Sequence, residues 1–170
     1  MNINTVSFPR FKAEVESYTT IEGRLPFPDG RTGADPLFYS GSVVIAKTTA
    51  HDDKICVSGE IVISVICSDE DGSLYSFTSK APFEHEAEAS GVRSGMDVRD
   101  ASTLMGLNLK GGGDALSVNA QVSFLFTVFE SLPLYTADTE STPVAVETHV
   151  ISLEHTDKEA VLTVKSRIRE

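Results

Sequence analysis

Residues 55–83 read ICVSGEIVISVICSDEDGSLYSFTSKAPF, and this stretch decides the fold of the chain. Side chains alternate between the two faces of a strand, so the first half predicts a β-strand with one buried face. That face carries Ile55, Val57, Gly59, Ile61, Ile63, Val65 and Cys67. Asp69-Glu70-Asp71-Gly72 then predicts a tight turn in which Gly72 adopts a positive φ. The return strand should end near Pro82, because proline cannot donate to a strand ladder, with Phe83 turned inward.

The rest of the chain repeats this strand-and-turn pattern. Residues 116–129 form the clearest strand, with one apolar face made of Leu116, Val118, Ala120, Val122, Phe124, Phe126 and Val128. Further strands are predicted at 42–48 and at 97–110, the latter with Thr103, Met105, Leu107 and Leu109 on one face. Residues 12–21 form either a strand or a short helix, and the β-branched and aromatic residues at 18–21 favour the strand. No segment has a helical period over three turns. The sequence therefore predicts an all-β fold, an antiparallel sandwich or open barrel of about eight to nine strands with little or no helix.

The chain is expected to divide into four segments. Residues 1–12 are predicted to be an arm with little structure of its own, and residues 13–130 the main β-domain. A polar linker with two prolines follows at 131–142. Residues 143–170 predict a hairpin that either closes the domain or begins a further module.

The composition restricts the classes of partner. The formal net charge is −11, which argues against nucleic acid and anionic membranes, since binding to either depends on clustered Lys and Arg. We find no transmembrane run and no signal peptide, so we expect a location inside the cell. Cys56 and Cys67 fall on opposite faces of one strand and are expected to remain unpaired, reduced thiols.

Motifs for catalysis or cofactor binding are missing from the sequence. It contains no Gly-x-Ser-x-Gly, and the glycines at 111–113 lack the Lys and Ser/Thr of a phosphate loop. Residues 84–90 predict an acidic connector in which a histidine lies among carboxylates, namely Glu84, His85, Glu86 and Glu88. This connector could bind a divalent ion loosely, but a solvated segment explains it better. We expect no enzyme activity, no cofactor and no metal site.

A long Gly- and Pro-rich loop is predicted at residues 23–41. A loop of that length in a compact domain is uncommon and often functional, although an ordered meander held by its aromatic residues is the alternative. It is our first candidate for a partner-binding surface, together with the acidic connector. The candidate residues in the loop are Phe27, Asp29, Arg31, Asp35, Leu37, Phe38 and Tyr39.

The order of short motifs resembles a known family. Ile21-Glu22-Gly23-Arg24-Leu25-Pro26 precedes Val57-Ser58-Gly59-Glu60, the Asp71-Gly72-Ser73-Leu74 turn and Ala81-Pro82-Phe83, and Gly95-Met96 follows. This order is similar to the SPOCS domain of spore-forming bacteria, over residues 20–130. The family usually has a proline-and-aspartate run where this chain has Asp29-Gly30-Arg31-Thr32-Gly33. The best-known member adds a LysM module and binds the spore-coat morphogenetic ATPase, and no LysM-like stretch is expected here.

The resemblance implies a non-enzymatic structural or docking module of the spore envelope, or coat. It would lie in the mother-cell cytoplasm or on the spore surface, and its partners would be other envelope proteins or further copies of itself. Such a module could present a loop or an open strand edge to its partner. Two other classes stay open: an extracellular adhesive or carbohydrate-binding β-sandwich, and an enzyme whose carboxylates meet only on folding.

Overall fold

The computed structural model describes residues 3–31, 35–68, 71–137, 145–152 and 161–167, with side chains described in 7–31, 35–68 and 71–133. Most of these residues are extended, and a short 3₁₀ turn lies at Pro28–Gly30. The strands are β1 (Ile3–Pro26), β2 (Pro36–His51), β3 (Lys54–Ser68), β4 (Leu74–Glu88), β5 (Asp97–Gly112), β6 (Ala115–Ala137), β7 (Ala145–Ser152) and β8 (Val161–Arg167). The predicted all-β class is confirmed.

Two three-stranded antiparallel sheets make up most of the fold. Their strand orders are β2-β3-β4 and β1-β6-β5, and they do not close into a barrel. Strand β3 is central in the first sheet, where Ile61 pairs with Val43 on β2 and with Ala81 on β4. Strands β7 and β8 pair antiparallel with each other, as the sequence predicts for this hairpin.

The core lies between the inner faces of β3 and β6. All seven inward residues predicted for β6 are buried, and the large apolar residues predicted for β3 are as well. Phe83 of β4 is 7% exposed, as expected for an inward residue, and its ring lies 5.8 Å from that of Phe124 on β6. Period-two alternation places every second side chain on the buried face, which is why these two strands could be predicted residue by residue.

Strand β5 departs from the predicted alternation at a bulge between Leu104 and Gly106. The extra residue reverses the phase of the strand, because two residues then face one on the partner strand. Leu104 and Leu107 therefore both pack against the core, whereas Met105 is 63% exposed. The prediction that Thr103 and Met105 share the face of Leu107 and Leu109 is wrong, since Thr103 and Met105 are both exposed.

The edges of the two sheets lie beside each other. On one side β2 lies alongside β5, and the Thr48 hydroxyl of β2 donates a hydrogen bond to the Asp100 carboxylate of β5 at 2.7 Å. On the other side the Ser17 hydroxyl of β1 lies 2.7 Å from His85 Nε2 of β4. Neighbouring strands protect an edge from pairing with another chain. Within the described part of residues 9–132, the outer faces of the sheets are therefore the more open surfaces.

The connection between β4 and β5 is fixed to the turn between β2 and β3. The Asp53 carboxylate accepts a hydrogen bond from the Gly91 amide at 2.8 Å, and Asp52 accepts one from the Ser94 amide at 3.0 Å. Main-chain bonds from Asp53 to Val92 and from Ala89 to Asp53 complete the contact. Asp53 has a positive φ of 60°, which aspartate tolerates better than most residues.

The chain divides into two compact units, residues 9–132 and residues 1–8 with 133–170. Strand β1 begins at Ile3, inside the segment predicted as an arm, and β6 continues to Ala137, inside the predicted linker. Both segments are therefore extended further than expected. Among the described residues, no helix has the length and apolar character needed to cross a membrane.

Candidate interaction surface

The loop predicted at residues 23–41 is much shorter than expected. Strand β1 continues to Pro26 and β2 begins at Pro36, which leaves residues 27–35, of which 32–34 lie outside the described residues. Both strands are at the edge of a sheet, where glycine and proline interrupt the ladder least. The predicted loop is therefore wrong in extent, because edge position outweighs the local turn preference.

Phe27 and Arg31, two residues of the predicted binding loop, hold the segment against the domain. Phe27 is 6% exposed, and its ring packs edge-to-face on Phe77 with centroids 6.3 Å apart. The Arg31 guanidinium lies 4.1 Å above the ring of Tyr75, a cation–π geometry. A partner could reach Phe27 only by displacing it from the core.

The remaining residues of that prediction separate into inward and outward positions. The Asp35 carboxylate accepts a hydrogen bond from the Gly111 amide at 3.1 Å, and Tyr39 packs against the core. Asp29 is exposed in the 3₁₀ turn with a positive φ of 56°. Leu37 and Phe38 are the large apolar side chains of the set that face solvent, at 64% and 62% exposure.

The predicted acidic connector is the last part of strand β4. Glu84, Glu86 and Glu88 point outward, and His85 points inward between the buried Phe83 and Ala87. The prediction of a connector is wrong. Glutamate at every second position is as compatible with a strand that has one solvated face as it is with a loop. The four residues therefore do not converge on one site.

His85 connects the edges of the two sheets. Its Nε2 lies 2.7 Å from the Ser17 hydroxyl, and its ring stacks on Phe124 with centroids 5.4 Å apart. Burial lowers the pKa of His85 below its ordinary value of 6.5, so the ring is neutral at pH 7. The carboxylates of Glu84 and Glu86 leave β4 on the opposite face and cannot orient this ring. The contact resembles a structural bridge more than a catalytic serine–histidine pair.

Side chains on the outer face of the β2-β3-β4 sheet form rows across the three strands. The register gives the successive rows Phe38–Ile66–Ser76, Ser40–Ser64–Thr78 and Ser42–Val62–Lys80. Eight of these nine residues carry no charge, and we call them the neutral patch: Phe38, Ser40, Ser42, Val62, Ser64, Ile66, Ser76 and Thr78. Ile66, on the central strand of the patch, is 38% exposed and lies beside Phe38.

Beyond the neutral patch the same face becomes charged. Lys80 pairs with Glu60 at 2.5 Å, and Lys54 pairs with Glu86 at 3.0 Å. The hydrogen bond from Lys54 lowers the pKa of the Glu86 carboxyl and raises that of Lys54. Burial raises the pKa of the Cys56 thiol, which lies 3.6 Å from Glu86, so the thiol stays protonated and weakly reactive.

A shallow groove of about 500 Å³ lies on this face beside the neutral patch. Its lining includes Val44, Gly59 and Pro82, together with Glu60 and Glu84. Strand β2 bulges between Ile45 and Lys47, and its main chain passes close to Gly59. The described residues include no group of three or more His, Cys, Asp or Glu arranged to hold a metal ion.

Sequence reasoning missed the neutral patch as a unit. Alternation places Val62, Ser64 and Ile66 on the outer face of β3, but their neighbours on β2 and β4 follow only from the strand register. One feature of the sequence could have indicated the patch. The outer face of β3 carries mostly polar side chains, yet it also carries the two large β-branched residues Val62 and Ile66.

Comparisons with known proteins agree with the order of motifs in the sequence. The family model described as SipL, SPOCS domain, matches residues 37–108. This segment contains almost the whole β2-β3-β4 sheet and most of β5, and it includes every residue of the neutral patch. The match confirms the resemblance to the SPOCS family and indicates a sporulation-related domain. No curated protein and no solved structure matches the chain.

Proposed function

We propose that this chain is a non-enzymatic structural module that binds other proteins during assembly of the spore envelope, or coat. The neutral patch is its docking surface. The match of residues 37–108 to the SPOCS domain supports the connection to sporulation. The proposed location is the mother-cell cytoplasm or the surface of the forming spore.

The observation that carries the proposal is an uncharged area on the outer face of the β2-β3-β4 sheet in which large apolar side chains are exposed next to each other. The chain has 14 basic and 25 acidic residues, yet eight neighbouring outward positions on three strands carry no charge. Phe38 and Ile66 lie side by side there and are both exposed. An exposed apolar cluster of this kind often marks a protein interaction site.

The arrangement also favours docking through a sheet face over docking through a strand edge. Strands β2 and β4 each have a strand of the other sheet beside them, which limits access to their main-chain groups. A face offers side chains that are held by the ladder and change little on binding. The mechanism is therefore packing of a partner on a preformed, rigid surface.

An affinity pull-down from a lysate of sporulating cells tests this proposal. The bait proteins are the wild-type chain, Ile66→Lys in the neutral patch, and Met105→Lys as a matched control. Met105 is an exposed apolar residue on β5, in the other sheet. We expect mass spectrometry to identify envelope proteins with the wild-type chain and with Met105→Lys, and a loss of these proteins with Ile66→Lys.

Recovery of the same envelope proteins with Ile66→Lys would contradict the assignment of the surface. Recovery of no envelope protein by any of the three chains, each folded by circular dichroism, would contradict the proposed function.

A further inference from the structure

We infer that the neutral patch binds a second copy of this chain, with the two β2-β3-β4 sheets packed face to face. This inference rests on the proposed docking role of the patch and names its partner. It follows from the distribution of charge and from the symmetry of the patch, and the size of the patch sets the expected strength of association.

The distribution of charge favours a like copy over a basic partner. Two chains with a net charge of −11 repel each other, so they can meet closely only where carboxylates are absent. The three rows of the patch contain no carboxylate, and their one charged residue is Lys80, which is paired with Glu60. A basic protein would instead be drawn to the glutamates of β4, which lie outside the patch.

The symmetry of the patch allows it to face itself. Ser64 is the middle residue of the middle row, with Ser40 on one side and Thr78 on the other. A two-fold axis in the plane of the face, whether along or across the strands, therefore brings Ser64 opposite its own copy. In both arrangements Ile66 meets an apolar side chain of the partner, either Ile66 or Val62. Homodimer interfaces with two-fold symmetry need this kind of self-complementarity.

Both arrangements place Lys80 opposite an uncharged residue of the other copy. Along the strands it faces the Ser42 position of the other copy, and across the strands it faces the Ser76 position. Within the three rows neither arrangement brings two charged side chains together. One row beyond Val62 on β3, Glu60 would face its own copy in the arrangement along the strands and the Ser68 position in the arrangement across them, which favours the arrangement across the strands. The sheets can then approach to the usual spacing of about 10 Å between packed faces.

The size of the patch predicts a weak dimer. Three strands at about 4.8 Å spacing, and about 20 Å of strand length, give a face of roughly 300 Å². A stable interface buries about 800 Å² on each partner. We therefore expect a dissociation constant in the micromolar range or weaker.

Ionic strength should act on this dimer in a characteristic direction. The charges that repel lie outside the contact and are exposed to solvent, so salt screens them, with a Debye length of about 10 Å at 0.1 M and about 3 Å at 1 M. Association should strengthen as salt is raised. An association with a basic partner would weaken instead.

Sedimentation velocity of the purified chain tests the inference. We expect the weight-average mass of the wild-type chain to rise above 18.3 kDa with concentration, and to rise further at high salt. Ser64→Glu and Ser64→Lys, each alone, should weaken association by about tenfold or more, because like charges then meet at the axis. An equal mixture of the two variants should restore association, because opposite charges meet. Met105→Lys should behave as the wild-type chain.

A wild-type chain that stays at 18.3 kDa at all concentrations and salts would overturn the inference. Equal association of the wild-type chain and both Ser64 variants would do the same. Because Ser64 donates or accepts a hydrogen bond with Thr78 at 3.1 Å, Ile66→Lys is included as a second, independent variant, for which we expect loss of association.

The sedimentation experiment and the pull-down can refute the self-association and the proposed function independently of each other. If the purified chain is monomeric while envelope proteins are recovered through Ile66, only the second copy as partner is refuted. If the chain associates through Ser64 but recovers no envelope protein, the proposed function fails and the self-association stands.

Discussion

Gly59 occupies a position in β3 where a single methyl group should destabilise the fold. A Cβ atom added there would lie 2.3 Å from the main-chain oxygen of Val44, and 3.1 Å from both Ile45 Cα and the tip of the Phe83 ring. The Phe83 ring can rotate, but the oxygen belongs to the bulged main chain of β2. Gly59→Ala therefore forces β2 away from β3.

The size of this effect follows from the distances. Contacts of a Cβ shorter than 3.0 Å are essentially never observed, so β2 must move by at least 0.7 Å. Overpacking of this kind costs about 1–3 kcal/mol, against which the lower chain entropy of alanine in the unfolded state returns about 0.4–1 kcal/mol. A net loss near the middle of the resulting range, about 1–2 kcal/mol, should lower the melting temperature by roughly 2–8 °C at about 2–4 °C per kcal/mol.

Thermal and urea unfolding followed by circular dichroism measure this change. Gly23→Ala in β1 is the matched control, because its Cβ would lie 4.0 Å from the Ala81 Cβ, an ordinary van der Waals distance. We expect this control to be as stable as the wild-type chain or slightly more stable. Equal stability of Gly59→Ala and Gly23→Ala would refute the close approach of β2 to β3.

Three further changes test other contacts. Asp53→Ala removes the acceptor of the Gly91 amide, and we expect a loss of about 1 kcal/mol with faster amide exchange of Gly91; unchanged exchange would contradict the contact. The pKa of His85 is lowered in the folded state, so the ring is protonated at a lower pH in the folded chain than in the unfolded chain. The free energy of unfolding should therefore fall as pH drops below 6.5. This fall should be absent in His85→Gln, measured by urea midpoints between about pH 5 and pH 7. Lys54→Ala breaks an exposed ion pair with Glu86 and should leave the urea midpoint unchanged.

Sequence alone predicted the two strands that carry the core. In β3 and β6 one face is buried against the other sheet, so the apolar residues recur at every second position without interruption. The same reasoning was less successful for β4, where Glu84, Glu86 and Glu88 occupy the outer face. The inward residues there are Phe83, His85 and Ala87, a weaker apolar set that does not distinguish a strand from a solvated connector.

The positions of the β-bulges and the register of the strands could not be predicted from the sequence. The phase change in β5 next to Met105 and the shift in β2 after Ile45 arise from the fit between neighbouring strands, and no local preference specifies them. The neutral patch depends on that register, because its rows join residues of three strands. Single residues of it could be assigned to a face, but their neighbours could not.

The location of the chain in sporulating cells tests the central claim most directly. A fluorescent fusion of the wild-type chain is compared with Phe38→Lys in the neutral patch and with the control Met105→Lys. The account predicts that the wild-type chain and Met105→Lys surround the forming spore, and that Phe38→Lys is spread through the mother cell. A Phe38→Lys protein that surrounds the spore as the wild-type chain does would contradict the account.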